Sequence, residues 1–340
     1  MGVVRATSDL HLSQRSSKWV FEALEALRAD AASTGGHTVL VGDILDQPES
    51  VHMPTWNRLR DVLRSFKGTV IVAVGNHDQY DGQRNALEAL EGGSVRVISA
   101  AQMTGVGLVV PYVPPADFWK TVKRASAEWV ADGGDPEFTR TWWTHQGWRG
   151  SYLNNMHRDR DGLSCKQIDA DLVISGHYHM PQNLGPIIYC GSPWQTSFAE
   201  EGQVKGWLRW DEFDARKPEI PRRVPFETSA PRHHTVLWDV RGGDNPVKPE
   251  GYRKGDRVRI VANGTRADVK KAAKAVKKAG LEGASIVADS EGSRREVIDR
   301  RAGPIEAAIQ YIDRVHGPDE ATLTPIALHE WALEAGVWSQ

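Results

Sequence analysis

The chain has 340 residues, of which 40% are hydrophobic and 25% charged, and its formal net charge is −2. That is the composition of an ordinary globular protein, long enough for two domains or for one large core with an appendage, and it exerts no global electrostatic pull toward nucleic acid. With Cys165 and Cys190 as the only cysteines, apolar runs no longer than a strand, and an opening MGVVRATSDL without the regions of a secretory signal, a disulfide framework, a membrane span and export are not expected, so a cytoplasmic protein is.

Val3-Val4 begins the first apolar run, which ends in Ser8-Asp9-Leu10-His11. Residues 16–32 then set Val20, Leu24, Leu27 and Ala31 at helical spacing behind a Ser16/Ser17 cap. Thr38–Val41 leads into Gly42-Asp43-Ile44-Leu45-Asp46, and residues 55–66 carry a second helical stripe of Trp56, Leu59, Leu63 and Phe66. Val70–Val74 leads into Gly75-Asn76-His77-Asp78. Strands alternating with helices predict a layered α/β domain. Later strand-like runs at 105–113, 140–145, 170–175, 187–191 and 204–210 come with fewer helical patterns, so the second half of the sheet is expected to be partly antiparallel.

Pro218, Pro221, Pro225 and Pro231 mark a linker or domain edge around residues 214–232. Beyond it, HHTVLWDV, DRVRIVAN and SIVAD read as strands, and residues 266–279 as a helix capped by Thr265 and stopped by Gly280. The reading divides the chain into a main domain over 1–225, a small α/β module over 226–290, and a helical tail over 291–340. In the tail Ile305, Ile309 and Ile312 share one stripe.

The turns carry the chemistry. Asp9 and His11 follow the first strand, Asp43 the second, Asn76-His77-Asp78 the third; His145 ends RTWW, and Gly176-His177-Tyr178-His179 ends the fifth run. Open α/β sheets place their sites at the carboxyl ends of strands. Residues two apart in extended backbone point the same way, so His177 and His179 can face one site. Each motif alone is weak, since a Gly-Asp or an Asn-His-Asp is commonly only a turn. Together, Asp9, His11, Asp43, Asn76, His145, His177 and His179 suffice for two metal ions sharing a carboxylate. A mixed oxygen and imidazole set without cysteine favours Mn, Fe or Zn. Two such ions clamp a phosphoryl group for in-line displacement.

This order of motifs, over roughly residues 3–210, resembles the calcineurin-like metallophosphoesterase superfamily. The resemblance implies a layered α/β sandwich. Asp9, His11, Asp43 and His179 would surround one metal, and Asp43, Asn76, His145 and His177 the other, with Asp43 bridging. His77 would face the scissile phosphate and assist the leaving oxygen, and Asp78 would orient His77. The segment after His179 is similar to the SbcD-type nucleases of DNA double-strand-break repair through Pro181-Gln182, Tyr189-Cys190-Gly191-Ser192-Pro193, Ser197-Phe198, Glu200 and Lys205-Gly206. Asp46 departs from relatives that carry a histidine there, and it receives no catalytic role. The length is close to that of the recombination-endonuclease subunits of tailed phages, so a bacterial cell or a phage-infected host is the implied setting.

That similarity implies a manganese-dependent DNA nuclease, an exonuclease on duplex ends and an endonuclease on single strands. It further implies a homodimer working with an SbcC-type SMC-like ATPase, which the tail would bind. The small module would then be a DNA-capping domain. Residues 253–278 hold ten basic side chains against Asp256 and Asp268, and Lys270, Lys274, Lys277 and Lys278 lie opposite the apolar face of the predicted helix. They are expected to contact phosphates without reading sequence. The competing reading of those lysines is a solvated helix face, and of the tail a structural cap. The competing reading of the enzyme is a metallophosphatase or phosphodiesterase acting on small-molecule or protein phosphoesters.

Overall fold

The computed structural model describes residues 2–81, 84–154, 157–239, 246–263, 275–281 and 285–289. The first sheet begins with Gly2–Thr7 (β1), His37–Val41 (β2), Thr69–Ala73 (β3) and Val95–Ile98 (β4), all parallel. Helices Ser17–Thr34 (α1) and Met53–Arg64 (α2) form the crossovers. β2 and β3 are buried on both faces over four of their five residues, which is why they read as unbroken apolar runs.

The later strands do not extend this sheet. Gln102–Thr104 (β5), Gly107–Val110 (β6), Thr141–His145 (β7), Leu172–Gly176 (β8), Gln182–Leu184 (β9) and Ile187–Tyr189 (β10) build a second one, in the order β9-β10-β8-β7-β6-β5. Its four central strands are parallel, and only the edge strands β5 and β9 are antiparallel. Gly206–Phe213 (β11) and Arg222–Pro225 (β12) return to the first sheet, where β11 pairs antiparallel with β1. β12 therefore lies inside the proline-rich stretch that reads as linker, with Pro225 at its outer edge.

Three cores give the layering. Val4, Val39 and Ile71 of the first sheet meet Val109, Trp143 and Ile174 of the second, face to face. Val20, Leu24, Leu27, Leu59 and Leu63 cover the outer face of the first sheet. A helix that the sequence reading did not mark, Pro115–Ala131 (α3), covers the second with Phe118, Val122 and Ala125. The result is a helix–sheet–sheet–helix sandwich, the expected α/β class.

This first unit runs through His234 and takes back Tyr252–Arg257; a second unit holds the described residues of Thr235–Gly251 and those after Arg257. His233–Asp239, Arg257–Asn263 and Ser285–Asp289 form a three-stranded sheet, the last two parallel with Ile260 opposite Ile286. In the second unit Trp238, Val258, Ile260, Ala262, Val276 and Leu281 are buried. Lys277 and Lys278 are exposed beside buried Val276, whereas Lys270, Lys274 and the tail over 291–340 lie outside the described residues. No described helix is long and apolar enough to cross a membrane.

Candidate metal centre

β1, β2 and β3 of the first sheet and β7 and β8 of the second all end toward one place. Past their strands the first two turns keep pairing: Asp9 N–H donates to Gly42 O at 3.0 Å, and His11 N–H to Asp43 O at 3.0 Å. Among the described residues, the non-glycine residues with positive φ are Asp9 (54°), His11 (44°), Asp43 (51°) and His177 (91°). Left-handed backbone at such residues costs roughly 1–3 kcal/mol each and persists where the surroundings impose it. All four are candidate ligands.

Two motif glycines are explained by the same crowding. A Cβ on Gly42 would stand 2.1 Å from His145 Nδ1, and one on Gly75 would stand 2.2 Å from Asp43 N and Oδ1. Neither neighbour has room to move, because both belong to the site.

The donor atoms converge. His11 Nε2 lies 3.0 Å from His179 Nε2, and Asp43 Oδ2 lies 3.1 Å from His145 Nε2 and 4.0 Å from His11 Nε2. Asn76 Oδ1 is 3.0 Å from His177 Nδ1. Three sets have their ligand atoms within 4.8 Å of one another: Asp9, His11 and His179; Asp43, His145 and His177; and His11, Asp43 and His77. Asp43 belongs to two of them, the placement that bridging requires. His145 Nε2 is buried and, although near Asp43, makes no aligned hydrogen bond. A buried nitrogen left this way, amid carboxylates, fits a cation-binding role.

Backbone donors and acceptors orient the set. Asp9 Oδ1 accepts from His177 N–H at 3.1 Å, while Ser8 Oγ donates to Asp9 Oδ2. Asp43 Oδ1 accepts from His77 N–H at 2.9 Å. His145 Nδ1 donates to Val41 O at 2.7 Å, which leaves Nε2 as the nitrogen that could ligate a cation. Ser16 stands at the N-cap of α1 as expected, but its Oγ makes no capping bond and donates to His11 O at 2.6 Å.

Electrostatics divide the imidazoles. Burial alone would lower the pKa of His145, but the charge and contact of Asp43 prevail and raise it to about 9. The same pairing holds Asp43 well below the carboxylate range against its own burial. Burial, then the positive charge at His145, pushes His177 down to about 4, and burial with His179 lowers His11. His11 and His177 are thereby kept neutral, with a lone pair available to a cation.

Two sequence expectations about His77 change. Asp78 does not hold the ring: its Oδ1 accepts from Leu45 N–H and its Oδ2 from Gly75 N–H, each at 2.8 Å, so it staples the second turn to the third. Burial and the charge of Asp43 raise its pKa to about 7. The ring is oriented instead by Asp46, whose carbonyl accepts from His77 Nδ1 at 2.9 Å. Asp46, given no catalytic role because it departs from relatives with a histidine there, contributes this backbone oxygen, which residue type cannot advertise, and its Oδ1 also lies 3.8 Å from His11 Nδ1.

His179 rests on a chain of groups from the segment after it. His179 Nδ1 is 2.9 Å from Thr196 Oγ1, Thr196 Oγ1 donates to Glu200 Oε1, and Lys205 Nζ donates to Glu200 Oε2 at 2.6 Å. Lys205 also donates to His179 O at 2.7 Å and to Ser192 Oγ at 3.1 Å. Since Thr196 spends its proton on Glu200, it accepts from Nδ1–H, so in the neutral ring Nε2 is the nitrogen with the lone pair; burial would lower the pKa of His179, but Glu200 and Asp9 raise it. Burial works against the Glu200 carboxylate, but His179 and Lys205 hold its pKa down at about 2. Thr196 is the member that the sequence reading missed.

The profile of the calcineurin-like phosphoesterase family matches residues 3–181, more than half of the chain. The chain belongs to the calcineurin-like phosphoesterase family. No curated protein matches it. As a calcineurin-like phosphoesterase it is a metal-dependent phosphoester hydrolase, and the family's divalent-metal requirement meets a fitting donor set here. All seven candidate ligands and His77 come together in this centre. Lys277 and Lys278 are exposed residues of the second unit.

Proposed function

We propose that this calcineurin-like phosphoesterase is a manganese-dependent DNA nuclease of the SbcD type, a duplex exonuclease and single-strand endonuclease. The observation that carries this reading lies beyond the family match, which ends at residue 181. Ser192, Glu200 and Lys205 belong to the stretch similar to SbcD-type nucleases, and they converge on His179. A segment wired this closely into the centre supports a function of the kind that the segment resembles.

In this reading Asp9, His11, Asp43 and His179 hold one divalent cation, and Asp43, Asn76, His145 and His177 the other. Bound there, the cations supply Lewis-acid stabilisation of a phosphoryl group and lower the pKa of water. His77 is exposed, and with Nδ1–H given to Asp46 O its Nε2 is the nitrogen available to substrate. Protonated, that nitrogen donates to the leaving oxygen. The basic residues of 253–278 contact DNA phosphates, and the chain acts as a homodimer with an SbcC-type ATPase bound through its tail.

Parallel assays with Mn and with Mg on duplex DNA, single-stranded DNA and p-nitrophenyl phosphate test the proposal. Mn-dependent cleavage of both DNAs is the expected result. Hydrolysis of the monoester with no DNA cleavage would assign the chain to the phosphatases instead.

A further inference from the structure

Beside the metal centre, within the first unit, lies a groove of about 260 Å³. Its lining includes His11, Asp46 and Thr196, which supports His179. The half-buried indole of Trp19 lines it, backed by Trp194, which is 6% exposed and packed in the core; their centroids are 6.4 Å apart and their planes tilted by 58°. Gln195, His233 and Arg257 also belong to the lining.

Three polar groups here lack an internal use. His233 is 3% exposed, yet its buried Nδ1 has no hydrogen-bond partner. Gln195 Oε1 accepts from His233 N–H at 2.8 Å, while its amide N–H groups meet no acceptor among the described residues. Arg257 is exposed and pairs with no carboxylate among the described residues. A buried nitrogen without a partner is costly, and native structures rarely keep one unless a ligand or water satisfies it.

We propose that this groove is a nucleotide subsite, seating the nucleoside next to the scissile phosphate. The chemistry selects that class. The indole face of Trp19 can stack on any base and give sequence-tolerant binding. An amide and an imidazole nitrogen meet the polar edge of a base, and a free guanidinium meets a flanking phosphate. A peptide or sugar phosphoester would use the cation but leave the Trp19 indole without a planar partner. Adjacency to His11 and Asp46 sets the register: a phosphate held at the centre places its own nucleoside, rather than one several positions away, in the groove. The inference deepens the nuclease reading and rests on it for the polymeric substrate.

Calorimetry on the metal-loaded full chain compares thymidine 5′-monophosphate with 2-deoxyribose 5-phosphate, which differ only by the base. The nucleotide is expected to bind about tenfold or more tightly, the usual benefit of one stacked base. Trp19→Leu should bring the nucleotide to the level of the sugar phosphate, Trp19→Phe should restore most of the difference, and Arg257→Ala should weaken binding of a dinucleotide more than of the mononucleotide. The sugar phosphate reports folding and metal loading in each variant. Equal affinity of the two probes in the unmodified protein overturns the subsite, as does an equal loss of both in Trp19→Leu with no rescue by Trp19→Phe. Those results are separable from failure of the nuclease reading: a chain that cuts DNA but binds both probes equally loses only the subsite. One that prefers the nucleotide without cutting DNA keeps the subsite for a nucleotide phosphoester.

Discussion

The Nε2 atoms of His11 and His179 face each other at 3.0 Å across a separation of 168 positions in the chain. Thr196 accepts from His179 Nδ1–H, so the neutral ring turns its lone pair toward His11, whose own pKa is lowered by burial. Two imidazoles arranged this way are suited to share a cation with Asp9. His179→Ala is therefore expected to weaken one metal site, whereas Asp43→Ala, which removes a carboxylate common to two donor sets, weakens both. Calorimetric titration with Mn counts the sites; two tight sites in Asp43→Ala would exclude a bridging carboxylate.

Thr196→Val keeps the shape of the side chain and removes the hydroxyl between His179 and Glu200. Metal affinity is expected to fall by about 10- to 100-fold, the usual effect of losing a partner that orients a ligand. Nitrogen NMR of His179 adds a readout independent of activity, since the Nδ1–H tautomer should lose its dominance. Unchanged affinity and an unchanged tautomer would return the Thr196–Glu200–Lys205 chain to a purely structural role.

His77→Ala should separate metal binding from turnover. Its ring lies against His11 at 4.8 Å, edge to face, but is exposed and held only through Asp46. Turnover is expected to drop about 10²- to 10⁴-fold, the range of one proton-transfer residue, with metal stoichiometry preserved. Loss of a metal ion instead would place His77 among the ligands, alongside His11 and Asp43.

Metal loading should expel a proton from His145. Its pKa is raised to about 9 beside Asp43, so at pH 7 the metal-free form carries the proton, and a cation must displace it. Below about pH 9 apparent affinity should then climb by about tenfold per pH unit, and above it this dependence should vanish. Titrations in buffers of different ionisation heat measure the release directly. A flat affinity between pH 7 and 8.5 contradicts it.

Replacing Lys270, Lys274, Lys277 and Lys278 by glutamate should weaken DNA binding and flatten its salt dependence. Each lost phosphate contact lowers the slope of log K against log salt by about 0.9 on duplex DNA. Hydrolysis of a small phosphodiester should persist in the same variant. An unaltered slope would make that helix a solvated face.

Much of the centre was legible in the sequence because ligands are a matter of residue type and position. Asp9, His11, Asp43, Asn76, His145, His177 and His179 each follow an apolar run, and a strand that ends in a turn must present the next polar residues at its carboxyl end. The helical stripes of α1 and α2 were legible for the same kind of reason, since periodicity is local. What the residues could not reveal was pairing. The apolar runs at 105–113, 140–145, 170–175 and 187–191 fit an extension of the first sheet as well as a second one, and only the packing of Trp143 and Ile174 against Val39 and Ile71 selects the sandwich.

Within the site, the same limit decided Asp46, Asp78 and Thr196. Asp46 acts through a carbonyl that every residue possesses, and the carboxylate of Asp78 is taken by the amides of Leu45 and Gly75 before it can reach the neighbouring His77 ring. Thr196 stands behind His179 only because Glu200 and Lys205 are folded against it. Side-chain chemistry and local period are written in the order of residues. Hydrogen-bond partners are chosen by competition among groups far apart in the chain, which only the tertiary structure resolves.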